Sequence, residues 1–187
     1  MNKSKKGSLN IIGGQWRSRK IEVFDAEGLR PTPNRVRETL FNWLQTDIFN
    51  AQCLDLFAGS GALSFESASR GAKTVVQIEN NVAACRILKL NAEKLNASQI
   101  QVIQTNALSY LKNVPENPFD IVFIDPPFGL NLVAQSCELL EKYHWLAPYA
   151  KIYIETETNL TLNLPENWQL LKSKIAGEVA YHLFEFR

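Results

Sequence analysis

Five apolar runs rich in β-branched and aromatic residues recur along the chain, and segments with helical spacing separate them. The runs are CLDLF at 53–57, TVVQIE at 74–79, IQVIQT at 100–105, FDIVFID at 119–125 and KIYIET at 151–156, and each reads as a strand. Between them, ALSFESASRG, NVAACRILKLNAEKLN, ALSYLKNV and LVAQSCELLEKYHWL carry apolar residues at helical steps. In the second of these, Val82, Cys85, Leu88 and Lys89 mark the steps, and Asn81 is placed to cap the helix. Parallel neighbours need crossover connections, and the usual crossover is a helix, so the alternation predicts an α/β fold: a doubly wound, mostly parallel sheet with helices on both faces.

The rhythm changes at both ends. NWQLLKSKI and EVAYHLFEFR are strand-like runs separated by Ala176 and Gly177, which predicts an antiparallel hairpin closing the sheet. Near the start, LNIIGG and RKIEVF predict a small β-hairpin around QWRS. RPTPNRVRETLFNWLQTDIF then predicts a helix with Thr32 as N-cap, Pro33 at the first helical position and an apolar stripe of Val36, Leu40, Trp43 and Leu44. The expected division is a basic tail and small hairpin over residues 1–31 and the principal domain over 32–187.

Composition narrows the function classes. A chain of 187 residues, 45% hydrophobic, has enough material for one well-filled core. Cys53, Cys85 and Cys137 lack the spacing of a zinc site or redox pair, and His144 and His182 are isolated from each other; reduced core thiols and no metal are expected. No apolar run reaches the roughly 18 residues of a membrane span, so a soluble, cytoplasmic protein is expected; a monomer is a separate expectation. The net charge of +1 hides a segregation: residues 1–37 hold nine basic and three acidic side chains, against eleven and sixteen in the remainder. A basic head on an acidic body suggests a polyanionic partner. Arg17, Arg19, Lys20, Arg30, Arg35 and Arg37 lie among structure-forming residues and are the candidates for holding it.

DLFAGSGAL sets Gly59 and Gly61 between the first body strand and a helix, where glycine permits a sharp turn and close approach of a ligand. A dinucleotide fingerprint would place a third glycine where Ser64 stands. Asp55 stands near the end of that strand, Glu79 ends the next, about 20 residues after the glycines, and Asn106 follows the third. Strand ends of a doubly wound sheet face one crevice. There Glu79 can accept from two ribose hydroxyls and Asn106 can read an adenine edge, so the set suits an adenosine-containing cofactor without requiring a pyrophosphate.

FDIVFIDPPFG places Asp125 at the end of the fourth strand, followed by Pro126, Pro127 and Phe128. Two prolines remove two N–H donors, leaving a carboxylate and carbonyls as the polar groups. Such an acceptor-rich wall can hold both hydrogens of a planar amine on a nucleobase, through the Asp125 carboxylate and the Pro126 carbonyl, while Phe128 stacks on the ring.

These residues resemble the class I, Rossmann-like S-adenosylmethionine-dependent methyltransferases, and more narrowly the RsmD family, which methylates the exocyclic N2 of a guanine in 16S ribosomal RNA. DLFAGSGAL, the Asn106–Ala107 pair and DPPF match its cofactor and catalytic motifs; GGQWRSRKI, RPTPNRVRETLFNWL and GEVAYHLFEF resemble its more particular segments. The resemblance implies a seven-stranded sheet with an antiparallel last strand. It places Asp55, Phe57, Gly59, Gly61, Glu79, Asn80, Asn106 and Ala107 around S-adenosylmethionine and Asp125, Pro126 and Phe128 at the target base. It also makes the basic head a grip for 16S ribosomal RNA within the small ribosomal subunit. Trp16 is then either a stacking residue or an anchor of the hairpin. DPPF alone equally suits a DNA adenine-N6 methyltransferase, and the glycine turn a dehydrogenase or a nucleotide-binding regulator.

Overall fold

A computed structural model describes residues 7–24 and 32–187. Arg30 lies outside the described residues. A two-stranded antiparallel hairpin, β1 (Gly7–Asn10) and β2 (Lys20–Val23), encloses a 3-10 turn at Gly14–Trp16. Then follow α1 (Asn34–Trp43), β3 (Gln52–Asp55), α2 (Ala62–Ser69), β4 (Thr74–Glu79), α3 (Val82–Leu95), β5 (Ile100–Gln104) and α4 (Ala107–Leu111). The chain continues through β6 (Phe119–Ile124), α5 (Leu132–Lys142), β7 (Leu146–Glu157), β8 (Trp168–Ala176) and β9 (Val179–Phe186).

The main sheet has seven strands in the order β5-β4-β3-β6-β7-β9-β8. Its first five members pair in parallel, and β9 runs antiparallel to both β7 and β8. The last strand is thus the antiparallel one, but it inserts between β7 and β8, leaving β8 on the edge. Alternation along the strands divides the core into two layers. Cys53, Val75, Ile121, Phe123 and Tyr153 meet α1, α2, α3 and Trp16 on one face. Leu54, Val76, Ile78, Val122 and Ile152 meet α4, α5 and Trp145 on the other.

Local chemistry agrees with much of the pattern. Asn81 caps α3, its side chain accepting from the Ala84 N–H at 3.0 Å. The buried side of that helix is Ala84, Cys85, Leu88, Asn91 and Leu95, whereas Val82 is 66% exposed; a first-turn residue preceded the stripe rather than joining it. Two further boundaries differ. Strand β7 begins at Leu146 rather than Lys151, its register with β6 shifting between Phe119 and Ile121. Pro33, not Thr32, is the N-cap of α1; its ring has no polar atom and makes no side-chain cap bond, while the Thr32 hydroxyl points to Asp125.

Candidate active site

The carboxyl ends of β3, β4, β5, β6 and β7 leave the sheet on one side, and the predicted site residues follow from them. After Asp55 the chain turns through Gly59 and Gly61, with φ of 50° and 76°. At Gly61 a Cβ would lie 2.7 Å from Leu88 and Phe65, so glycine is required there by both conformation and space. The turn is anchored by Ala58 N–H to Ile78 O at 3.0 Å and Gly61 N–H to Ala58 O at 2.7 Å.

Glu79 holds the turn from the neighbouring strand. Its Oε2 accepts from Gly59 N–H at 2.9 Å and its Oε1 from Asn81 N–H at 2.7 Å. A carboxylate has about four lone-pair sites, so two main-chain bonds leave acceptor capacity for a ligand hydroxyl. The same contact places a negative charge where a dinucleotide pyrophosphate would need donors, and it takes up the Gly59 N–H. The turn therefore fits an adenosine cofactor with no phosphate better than a dinucleotide.

Asn106 is the N-cap of α4 and accepts from Ser109 N–H at 3.1 Å. Its side-chain amide still has two N–H donors at an exposed position beside buried Ala107. Asn80 is also exposed, and Phe57 is half-buried against the α4–α5 layer. Asp55 is 2% exposed and receives the Ser64 hydroxyl. Burial pushes its carboxyl up to about 7, against the opposing hydrogen bonds from Ser64 and the Phe57 backbone. Asp55 therefore supports the turn from beneath.

Ile124 pairs with Ile154 across β6 and β7, so Asp125, the first residue past β6, lies beside Glu155, which is still in β7 opposite Tyr181 of β9. Asp125 is half-buried, Glu155 is 5% exposed, and Pro126 is buried beside them. Burial, then the like charges of Glu155 and Asp55, hold the Asp125 carboxyl well above the usual range; the Thr32 hydroxyl, 3.4 Å from Asp125 Oδ2, acts the other way. The Glu155 carboxyl is likewise raised by burial, opposed by hydrogen bonds from Tyr153 and Thr32. Phe128 is 44% exposed. It lines a cleft of about 260 Å³ with Pro126, Leu130, Glu155, Leu160 and Leu162, an apolar slot with few polar groups, as small planar ligands require.

The predicted basic set divides. Arg17, Arg19, Lys20 and Arg35 are exposed. Arg37 is 0% exposed: its guanidinium donates to Asn10 O at 3.0 Å and Asn34 Oδ1 at 2.5 Å and lies 3.7 Å from Glu66. Its assignment to a polyanion surface is corrected, since a charge enclosed this way is a structural tie. Glu66, also buried, accepts from the Ile12 and Gly13 N–H groups and pairs with Arg70, docking the hairpin segment on α2. Trp16 is 7% exposed in the α1–α3 layer, with its backbone N–H donating to Ser69 Oγ at 2.9 Å, and is therefore the anchor.

Sequence reasoning missed Thr32, Tyr153 and Glu155. Glu155 had a signal, as the acid next to the end of KIYIET, a strand neighbouring the one that leads into DPPF; Thr32 had none beyond its position before Pro33.

Among the described residues no helix is long and apolar enough to cross a membrane, and no group of three or more His, Cys, Asp or Glu is arranged to hold a metal.

Comparison with known proteins agrees along the whole chain. The family model described as "Conserved hypothetical protein 95" matches residues 9–185. The protein named ribosomal RNA small subunit methyltransferase D of Haemophilus influenzae is 49% identical over 183 residues, 96% of this chain and 95% of its own length. That of Escherichia coli K12 is 49% identical over 187 residues, 98% of this chain and 93% of its own. A solved structure titled "Putative methyltransferase yhhF from Escherichia coli" superimposes with a TM-score of 0.90 at 46% identity, covering 97% of this chain and 99% of that one. Matches of this length and identity, over a fold that carries DLFAGSGAL and DPPF on adjacent strand ends, show that the chain belongs to the RsmD family of small-subunit ribosomal RNA methyltransferases.

Proposed function

We propose that this protein transfers a methyl group from S-adenosylmethionine to the exocyclic N2 of a guanine in 16S ribosomal RNA. The observation that carries the reading is the acceptor wall at Asp125 and Pro126 at the same sheet edge as the Glu79-held glycine turn. S-adenosylmethionine supplies a methyl carbon already activated by its sulfonium. Glu79 accepts from the ribose hydroxyls, Asn106 donates to the adenine edge, and Asp55, Phe57, Gly59, Gly61, Asn80 and Ala107 shape the surrounding wall.

Asp125 and the Pro126 carbonyl hold the two amine hydrogens, and Phe128 stacks on the base in the apolar cleft. The N–C bond forms from the nitrogen lone pair as the C–S bond breaks with its electron pair left on sulfur; the surplus proton on nitrogen passes to Asp125. Positioning and electrostatics account for most of the acceleration, because the carbon needs no further activation. Arg17, Arg19, Lys20, Arg30 and Arg35 contact phosphates, which orients the RNA without reading its sequence. The working form is a monomer acting on RNA held in a small ribosomal subunit, in the cytoplasm, with residues 1–31 and 32–187 as its two portions.

Two assays test this reading. Calorimetry should detect binding of S-adenosylhomocysteine and none of NAD. Tritiated methyl should enter small-subunit ribosomal RNA and not duplex DNA; label confined to DNA would replace guanine-N2 with adenine-N6 as the target.

A further inference from the structure

Asp125 and Glu155 stand side by side on one face of the sheet. Ile124 and Ile154 are register partners in a parallel pair, and the residues that follow such partners point to the same side. Glu155 also lines the cleft that contains Pro126 and Phe128. Tyr153, buried two residues back on the same face, donates its hydroxyl to Glu155 Oε1 at 2.8 Å. The Tyr153 ring is itself fixed, edge-on to Phe123 and tilted against Tyr181. A donating tyrosine makes Glu155 an acceptor, and a carboxylate with about four lone-pair sites keeps capacity for a further donor in the cleft.

Nucleobases with an exocyclic amine differ in what stands beside it. In guanine the Watson–Crick neighbour of N2 is N1–H, a donor. The neighbour of N6 in adenine is N1, and that of N4 in cytosine is N3, both acceptors. Guanine therefore presents three hydrogens along this edge, two on N2 and one on N1. Three acceptors stand in a row to meet them: the Pro126 carbonyl, the Asp125 carboxylate and, one strand over, the Glu155 carboxylate. Two adjacent carboxyl groups repel when both are ionised, so this edge welcomes one more hydrogen and rejects one more lone pair.

We propose that Glu155 selects guanine, its carboxylate accepting from N1–H while Asp125 and the Pro126 carbonyl hold the N2 amine and Phe128 stacks on the ring. The inference rests on the guanine-N2 methyl-transfer reading above. It also fixes the orientation of the base: Asp125 takes the N2 hydrogen on the N1 side, and Pro126 the one on the N3 side. Glu155 determines specificity, touching the ring beside the amine rather than the reacting nitrogen. Tyr153 is a positioning residue, holding Oε1 so that Oε2 faces the base. A site built to accept a substrate N–H strongly rejects an analogue without it, because its buried acceptor is left unpaired.

The test places a single 2-aminopurine at the methylated position of small-subunit RNA and compares it with guanine. This analogue keeps the N2 amine but has a bare acceptor at N1. The wild type should prefer guanine by about 30-fold or more in kcat/KM. Glu155→Gln and Glu155→Ala are compared after matching for fold by S-adenosylhomocysteine calorimetry. In Glu155→Gln the Tyr153 hydroxyl retains the amide oxygen, so the amide hydrogens face the base. Guanine should then fall by about 10-fold or more and 2-aminopurine rise by a similar factor, inverting the preference. Glu155→Ala should lose the preference with no gain on 2-aminopurine. The two bases also differ at O6, but a reader of O6 elsewhere would leave the preference of Glu155→Gln as in the wild type. That outcome, or a wild type indifferent to the analogue, would overturn the role of Glu155. The wild-type comparison stands by itself where a variant fails the calorimetric match. A wild type that methylates neither base would instead overturn the guanine-N2 reading.

Discussion

The Gly59 N–H donates to Glu79 Oε2 at 2.9 Å, joining the glycine turn to the end of the neighbouring strand across 20 residues of sequence. A second bond, from Asn81 N–H to Oε1 at 2.7 Å, makes the carboxylate a brace between the turn and the start of α3. Hydrogen bonds to a charged group contribute about 1.5–3 kcal/mol each. Glu79→Ala should therefore weaken S-adenosylhomocysteine binding by at least about 10-fold, with Glu79→Gln intermediate, as measured by calorimetry. Unchanged affinity in both would remove Glu79 from the cofactor site.

Gly61→Ala places a Cβ against Leu88 and Phe65 in a left-handed conformation. Such strain costs on the order of 1–3 kcal/mol. A urea titration should register that loss, with a parallel fall in cofactor affinity; a wild-type midpoint would mean that the turn relaxes without cost.

Arg37 and the exposed basic residues should separate in two assays. Arg37→Ala removes one partner of the buried Glu66 and the ties to Asn10 O and Asn34 Oδ1, and breaking a buried pair costs roughly 3–5 kcal/mol. Arg17→Ala and Arg35→Ala should leave the melting temperature near wild type while weakening RNA binding and reducing the salt slope by about one per phosphate contact. The reverse pattern would restore Arg37 to the RNA surface.

Much of the fold was legible because strand and helix periods are local properties. The strand TVVQIE coincides with β4, and Asn81 caps α3 as its position before Val82 implies. Residues whose partners are distant were misread. Thr32 looks like a cap beside Pro33, yet its hydroxyl serves Asp125, 93 residues later. Arg37 looks like surface charge until Glu66 is brought beneath it by the packing of α2 on α1. The strand-end set at Asp55, Glu79 and Asp125 could be read because a parallel sheet sends consecutive strand ends to one edge. Glu155 belongs to the same edge and was passed over, because its signal, an acid near the end of KIYIET, becomes specific only once β7 is known to lie beside β6.

Asp55 gives a pH test of the fold. Its carboxyl is raised to about 7 by burial, against roughly 3.9 in an unfolded chain. Between those values the folded state binds more protons, so this contribution is complete below the unfolded value and is lost as pH rises through about 7. The limiting slope is about 1.4 kcal/mol per pH unit, and Asp125 and Glu155 are shifted in the same direction. Urea midpoints should be higher at pH 5 than at pH 7.5, and Asp55→Asn should reduce that difference. A midpoint rising over this interval would contradict the protonated interior.

The central claim is that Asp125 receives the N2 amine of a ribosomal guanine. Small-subunit RNA from cells lacking this protein is the substrate to use, with wild-type enzyme or Asp125→Ala, S-adenosylmethionine and mass-spectrometric mapping of the product. The account predicts one new N2-methylguanosine with the wild type, and none with Asp125→Ala although that variant still binds S-adenosylhomocysteine. Methylation of another atom or base, or full methylation by Asp125→Ala, would contradict it.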